Sequence, residues 1–189
     1  MTEPTRRAVA LGLAALPFAP AQTGDFAIDW QGGPETPAVA RSLADQIALV
    51  RRLRIRPDIA AFFARQPITV DRAEDTATRA GPRGVFFARW PAPVDNPVLL
   101  HELLHRYHLL RLPGGRANPT VIGFYRRVRA SGAFPPAAYL FTNPFEFFAM
   151  CASTTLHGRA ARPPFTRADM AAKAPALYAW IVAEFGLQV

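Results

Sequence analysis

The sequence predicts a single domain of the α+β class, mostly helical with a small β-sheet. Its 189 residues are 50% hydrophobic and 19% charged, which is ordinary for one globular domain with a real core. Several apolar stretches begin at a proline and repeat their apolar residues at helical spacing. Two short β-rich runs in the first half of the chain supply the predicted sheet.

Residues 1–21 have the three regions of a signal peptide. Arg6-Arg7 is a short positive region, residues 8–18 are an apolar run, and Ala19-Pro20-Ala21 has the small-x-small form of a cleavage site. The run is too short for an ordinary transmembrane helix, and no other segment resembles a membrane span. We therefore expect an exported bacterial protein, periplasmic or secreted, whose single domain covers residues 22–189. A frayed N-terminal helix is the alternative.

The first half of the domain is predicted to hold two helices and two strands. Thr36-Pro37 opens a helix with apolar residues at helical spacing, and Pro57-Asp58 opens a shorter one. Residues 68–70 form a short strand, residues 71–82 are a polar loop, and residues 84–90 are the strongest strand. This last strand could pair through its edge with an extended peptide substrate, or it is an ordinary sheet strand.

The next helix carries the sequence His101-Glu102-Leu103-Leu104-His105. Asn96-Pro97 is predicted to start it, with the Asn96 side chain accepting from a free backbone amide, and Pro-Gly-Gly at residues 113–115 stops it. Residues four apart lie on one helix face. The two imidazoles can therefore hold one metal ion, while Glu102 takes a proton from a metal-bound water. The alternative is a buried helix with two hydrogen-bonded histidines.

Further helices are predicted in the second half of the chain. Asn118-Pro119 and Asn143-Pro144 each start a helix with an asparagine cap and a proline in the first position. Thr166 or Asp169 opens a final helical region, which restarts at Pro175.

A catalytic zinc site needs a third protein ligand besides two histidines. Glu146 is the best candidate, because a carboxylate among four phenylalanines needs a reason to be there. A capping carboxylate that faces solvent is the alternative. His108 lies one turn beyond His105 and cannot converge with the other two histidines on one ion, so an outer or surface role suits it better. His157 follows no recognisable pattern.

These residues resemble the gluzincin metallopeptidases, in particular the group of the anthrax lethal factor catalytic domain and the Mlc titration factor peptidases. The histidine motif is followed about forty residues later by Asn-Pro-Phe-Glu-Phe-Phe-Ala at residues 143–149, similar to the Glu-x-Phe-Ala setting of that group. Tyr139 stands seven residues before Glu146, as in the lethal-factor branch. Residues 175–180 resemble the C-terminal helix of the titration-factor peptidases. Met150 stands where the thermolysin branch has an aspartate that orients a ligating histidine.

The resemblance implies a zincin-like fold over roughly residues 85–185 and one Zn²⁺ ion held by His101, His105 and Glu146. It implies hydrolysis by a metal-activated water, with Glu102 as general base and Tyr139 as hydrogen-bond donor to the oxyanion. A buried structural tyrosine is the alternative for Tyr139. The implied function is a zinc metallopeptidase acting on protein or peptide substrates. Its rival is a zinc- or peptide-binding module of the cell envelope that has kept the fold and cleaves poorly.

The formal net charge of +8 raises the question of an anionic partner. The arginines are scattered, and no recognition motif or glycine-rich phosphate loop accompanies them, so we expect no specific nucleic-acid binding. An acidic partner or an anionic surface stays open, as would suit a basic binding protein of the cell envelope. The single cysteine, Cys151, excludes an internal disulfide and is predicted to be a small buried hydrophobe.

Overall fold

The computed structural model describes residues 26–71, 76–93 and 95–188, so the predicted signal peptide lies outside the described residues. The fold is α+β and mostly helical with a small sheet, as predicted. The helices of this part of the chain are α1 Pro37–Arg51, α2 Pro57–Ala64, α3 Val98–Leu110, α4 Pro119–Ala130, α5 Pro144–His157, α6 Arg167–Lys173 and α7 Pro175–Phe185. Its strands are β1 Ile28–Trp30, β2 Ile68–Val70, β3 Arg79–Gly81 and β4 Gly84–Phe87. Two 3₁₀ turns cover Gly115–Ala117 and Tyr139–Phe141.

The strands form one sheet in the order β1-β2-β4-β3. β2 pairs in parallel with β1 and with β4, whereas β3 pairs antiparallel with β4. The strand predicted over residues 84–90 is β4, which is shorter than expected. β4 has a partner strand on each side. The prediction that its edge could receive a peptide is wrong, because the edge of the sheet at this end belongs to β3.

β3 also corrects the polar loop predicted over residues 71–82. Its sequence, Arg79-Ala80-Gly81, has no alternating or β-branched pattern, so pairing with β4 gives these residues their strand conformation. The connection between β3 and β4 is tight at Gly84, which supports that pairing. Gly84 has φ +149°, and a Cβ atom there would clash with the Pro67 carbonyl oxygen. Only glycine fits this position without strain.

The helix starts follow the proline and asparagine signals, with one exception. The Asn118 side chain accepts from the Val121 amide at 2.9 Å, and the Asn143 side chain accepts from the amide of Glu146 at 2.9 Å, as predicted. The Asn96 side chain does not cap α3, which begins at Val98.

Gln46 of α1 secures the start of α3 instead. Its Oε1 accepts from the Leu99 amide at 3.1 Å, and its Nε2 donates to the Asn96 carbonyl at 2.9 Å. Both bonds are made inside the protein, because Gln46 is buried. The helix that carries the histidine motif is thus fixed at its first turn by a residue about fifty positions earlier.

The core is built around α3 and α5, which pack against each other. Four leucines of α3 are fully buried: Leu99, Leu100, Leu103 and Leu104. Aromatic rings from α2, α3, α5 and α7 meet beside them, namely Phe63, Tyr107, Phe148 and Phe185. Cys151 of α5 is fully buried, as predicted. In the described part of the chain, no helix has the length and apolar character needed to cross a membrane.

Candidate metal centre and its cleft

One face of α3 presents His101, Glu102 and His105 together. A nitrogen or oxygen atom from each of the three lies within 4.8 Å of one from each of the others. The two imidazoles are one helical turn apart, with ring centres 4.6 Å apart and ring planes at 89°. This is the geometry that the i, i+4 spacing predicts. The opposite face of the same helix carries the buried leucines.

The first turn of α5 brings the Glu146 carboxylate against both histidines. Its Oε2 lies 3.1 Å from His101 Nε2, and its Oε1 lies 3.4 Å from His105 Nε2. Two ligands bound tetrahedrally at the usual zinc distances lie about 3.3 Å from each other. The two measured separations are close to that value, and they are also those of direct hydrogen bonds between Glu146 and the histidines.

The surroundings of Glu146 disfavour the alternative of a solvent-facing cap. The Asn143 side chain already caps the Glu146 amide, so the carboxylate is not needed at the helix terminus. Its side chain is only 18% exposed. Burial opposes ionisation, but the hydrogen bonds to His101 and His105 outweigh it and hold the pKa of Glu146 well below its usual range. The carboxylate is thus anionic, as a metal ligand must be.

Glu102 lies beside this group of donors and contacts the sheet. The backbone amide of Ala80, in β3, donates to its Oε2 at 2.6 Å. Burial raises the pKa of Glu102 to about 7, although the His101 ring and the Ala80 amide both act in the opposite direction. A carboxyl group that titrates near neutrality can both take up and release a proton, which is what a general base and acid must do.

Tyr139 faces the same centre from the 3₁₀ turn. The residue is 39% exposed, so the alternative of a buried structural tyrosine is disfavoured. Burial of the hydroxyl raises its pKa to about 12, and the nearby Glu146 carboxylate adds to the shift. The phenol therefore keeps its proton at neutral pH and can act as a hydrogen-bond donor.

His108 and His157 do not join the centre. His108 is fully buried, with its ring centre 5.1 Å from that of Phe145 and 4.9 Å from that of Phe148. Burial lowers its pKa to about 4, so a surface role is wrong for it. His157 ends α5, about 16 Å along the helix axis from Glu146 at 1.5 Å per residue.

The sequence has no signal for the stacking that packs against His105. The Phe145 ring stacks on His105 with 4.2 Å between ring centres and 21° between planes. Arg116 in turn lies over Phe145, with its Cζ 4.4 Å from the ring centre. Among the described residues, the His105 Nδ1 has no hydrogen-bond partner. Met150 lines the cleft.

The centre sits at the junction of two cavities. Thr78, Glu102 and Tyr139 border both of them, so they form one cleft. The first cavity, of about 390 Å³, has polar and apolar surface in similar amounts and is lined by residues that include Trp90, Pro93, Pro97, Val98, Met150 and Arg162. The second, of about 530 Å³, is similarly mixed and is lined by residues that include Arg79, Ala80, Arg116, Asn143 and Phe145.

Comparison with known proteins adds a structural likeness. No protein-family model matches the chain, and no curated protein matches it. A solved structure, that of the Pro-Pro endopeptidase PPEP-2 from Paenibacillus alvei, is similar with a TM-score of 0.60 and 17% sequence identity. The match covers 86% of this chain and 98% of that chain. At this identity the likeness shows a shared fold. The closer resemblance to lethal factor and the titration-factor peptidases stays a prediction.

Proposed function

We propose that this protein is a zinc-dependent metallopeptidase that hydrolyses peptide bonds in protein or peptide substrates. One observation carries the proposal: the two Glu146 oxygens lie 3.1 and 3.4 Å from the Nε2 atoms of His101 and His105, with Glu102 beside them. Histidines that served only the core would not require an open cleft and a carboxyl group with a pKa of about 7 at the same place. The fold shared with an endopeptidase supports the same conclusion.

The donor atoms suit zinc. Two imidazole nitrogens and one carboxylate oxygen are a common catalytic set, and a tetrahedral ion keeps one position for water. His101, His105 and Glu146 would hold the ion. When bound, it would lower the pKa of a water molecule toward neutrality and polarise the carbonyl group of the scissile bond.

The protein's own residues would carry the proton and the developing charge. Glu102 would accept the proton of the attacking water and pass it to the leaving amine, for which a pKa of about 7 is well placed. The Ala80 amide fixes one oxygen of that carboxylate. Tyr139 would donate a hydrogen bond to the carbonyl oxygen as its negative charge grows, a contact that is strongest in the transition state.

The substrate is a protein or a peptide. Proline-rich peptides are the first candidates to test. The similar structure is that of a Pro-Pro endopeptidase. In this chain the first cavity is bordered by an indole and two pyrrolidine rings, those of Trp90, Pro93 and Pro97. Flat, rigid apolar surfaces of this kind recognise proline-rich segments, which are already extended and lose little entropy on binding.

Comparing peptide cleavage by the wild type and by Glu102→Gln distinguishes a peptidase from a binding module. A peptide library that includes Pro-Pro sequences should be cleaved by the wild type. Tyr139→Phe should cleave it at about one-hundredth to one-thousandth of the wild-type rate, because a hydrogen bond to the oxyanion is lost. Glu102→Gln should lose about a thousandfold or more, because the base is gone, while its zinc content stays unchanged. If wild type and Glu102→Gln bind zinc and are equally inert on all peptides, the protein is a binding module and the peptidase proposal is wrong.

A further inference from the structure

Two arginines stand on opposite sides of the candidate catalytic centre. Arg162 lines the first cavity, and its Cζ lies 5.0 Å from the centre of the Tyr139 ring. Arg116 lines the second cavity, and its Cζ lies 4.4 Å from the centre of the Phe145 ring. Each guanidinium is thus placed over an aromatic ring that belongs to the centre or packs on one of its histidines.

Other arginines near the cleft are already engaged. Arg79 forms an ion pair with Asp71 at 2.6 Å, and Arg159 forms one with Asp95. Arg106 donates to the Gly81 carbonyl at 2.7 Å and to the Pro82 carbonyl at 2.9 Å. Within residues 26–71, 76–93 and 95–188, neither Arg116 nor Arg162 has a carboxylate partner.

An arginine that stacks on a ring keeps its recognition capacity. The ring contacts the flat face of the guanidinium, whereas the five N–H groups point outward in its plane. The ring also restricts the side chain, so less freedom is lost when a ligand binds. A substrate carboxylate can then accept two parallel hydrogen bonds from the fork.

The position of the centre fixes what the two arginines can reach. Glu102 and Tyr139 border both cavities, so the scissile bond would lie at their junction. Substrate residues before and after that bond must then extend into different cavities. Apart from Glu102 and Glu146 of the centre itself, no described carboxylate lines either cavity.

We infer that Arg116 and Arg162 are specificity-determining residues that select acidic side chains, one on each side of the scissile bond. The inference rests on the proposed peptidase function and extends it from peptides in general to acidic peptides. Basic side chains at the same substrate positions are disfavoured by charge repulsion. The net charge of +8 adds a longer-range attraction for acidic substrates, which salt screens.

Peptides of one cleavable sequence, with Glu, Gln or Lys placed in turn at three positions on each side of the bond, test the inference. At low salt the wild type should cleave the best Glu peptide on each side about five to ten times more efficiently than its Gln counterpart, and the Lys peptide least. Arg162→Gln should remove the preference on one side only, and Arg116→Gln on the other side only. Arg126→Gln, an exposed arginine of α4 outside both cavities, should leave both preferences intact.

Charge reversal provides a gain-of-function check. Arg162→Glu should convert the preference on its side from Glu to Lys, which a loss of folding cannot do. The inference is overturned if the wild type has no charge preference, if both Gln variants act on the same side, or if they behave like Arg126→Gln.

Binding separates a failure of this inference from a failure of the proposed function. Affinities of the same peptides for Glu102→Gln should follow the same order, Glu above Gln above Lys, and lose it in the double variants with Arg116→Gln or Arg162→Gln. If no peptide is cleaved but this order is found, the peptidase proposal fails and the arginines keep their role in recognition. If peptides are cleaved and affinities ignore charge, the inference fails alone.

Discussion

The two faces of helix α3 differ in what surrounds them and in what they do. One face buries Leu99, Leu100, Leu103 and Leu104 in a dry core against neighbouring helices. The other presents His101, Glu102 and His105 to the cleft, where burial raises the pKa of Glu102 and lowers that of His105. The first face stabilises the fold, and the second is held in place at a cost in stability. Stability and chemistry are thus encoded by neighbouring residues on opposite faces of the same helix.

The difference between the two faces predicts that the leucine face determines the free energy of unfolding. Leu103→Ala should lower the free energy of unfolding by about 2–5 kcal/mol, because it removes buried methyl groups and leaves a cavity. Urea unfolding followed by circular dichroism measures this. Leu110→Ala is the matched control, since Leu110 lies on the same helix and is 52% exposed; it should change stability by less than about 0.5 kcal/mol. Equal losses in the two variants would contradict the division between faces.

The cleft face should lower the stability of the fold, and the pH dependence of unfolding measures this effect. The pKa of Glu102 is raised from 4.5 to about 7 in the folded protein, so the folded state binds more protons than the unfolded state between those values. Metal-free wild type should therefore lose stability relative to Glu102→Gln as pH rises from about 4.5 to 7, by on the order of 1–3 kcal/mol. Paired urea titrations at pH 5, 6, 7 and 8 measure the difference. A gap that stays constant across this range would show that Glu102 is not a buried, strained acid.

Gln46 adds a polar case to this comparison, because it is a buried side chain whose role is to stabilise the fold. Gln46→Met keeps the volume but leaves the Leu99 amide without a partner and removes one of the two hydrogen bonds that the Asn96 carbonyl accepts. We expect a loss of about 1–2 kcal/mol in the free energy of unfolding, with zinc content unchanged. Arg41→Met, at an exposed position of the same helix, controls for the added methionine. If Gln46→Met is as stable as the wild type, the hydrogen bonds of Gln46 are not needed for the start of α3.

The sequence predicts features that rest on local signals. Helix starts at Asn118 and Asn143 follow from side chains that bond to amides two or three residues away, and the pairing of His101 with His105 follows from one helical turn. Glu146 could be proposed because a lone carboxylate in an aromatic helix is expensive to bury unless something binds it. In each case the informative residues are close together in the chain.

Features that depend on distant contacts could not be predicted. β3 exists because β4 pairs with it, and Gln46 replaces Asn96 at the start of α3 because folding brings α1 beside that helix. The contact between Ala80 and Glu102 joins residues 22 positions apart. The stacking of Phe145 on His105 and of Arg116 on Phe145 likewise depends on how three separate segments pack, which no periodicity or cap signal encodes.

Zinc content is the most direct test of the central claim, that His101, His105 and Glu146 form one metal site. Elemental analysis of the purified protein should find about one zinc ion per chain in the wild type, in Glu102→Gln and in the remote control His157→Ala. His101→Ala and Glu146→Ala should each fall close to zero while remaining folded. Stoichiometric zinc in Glu146→Ala, or none in the wild type after incubation with zinc, would contradict the account.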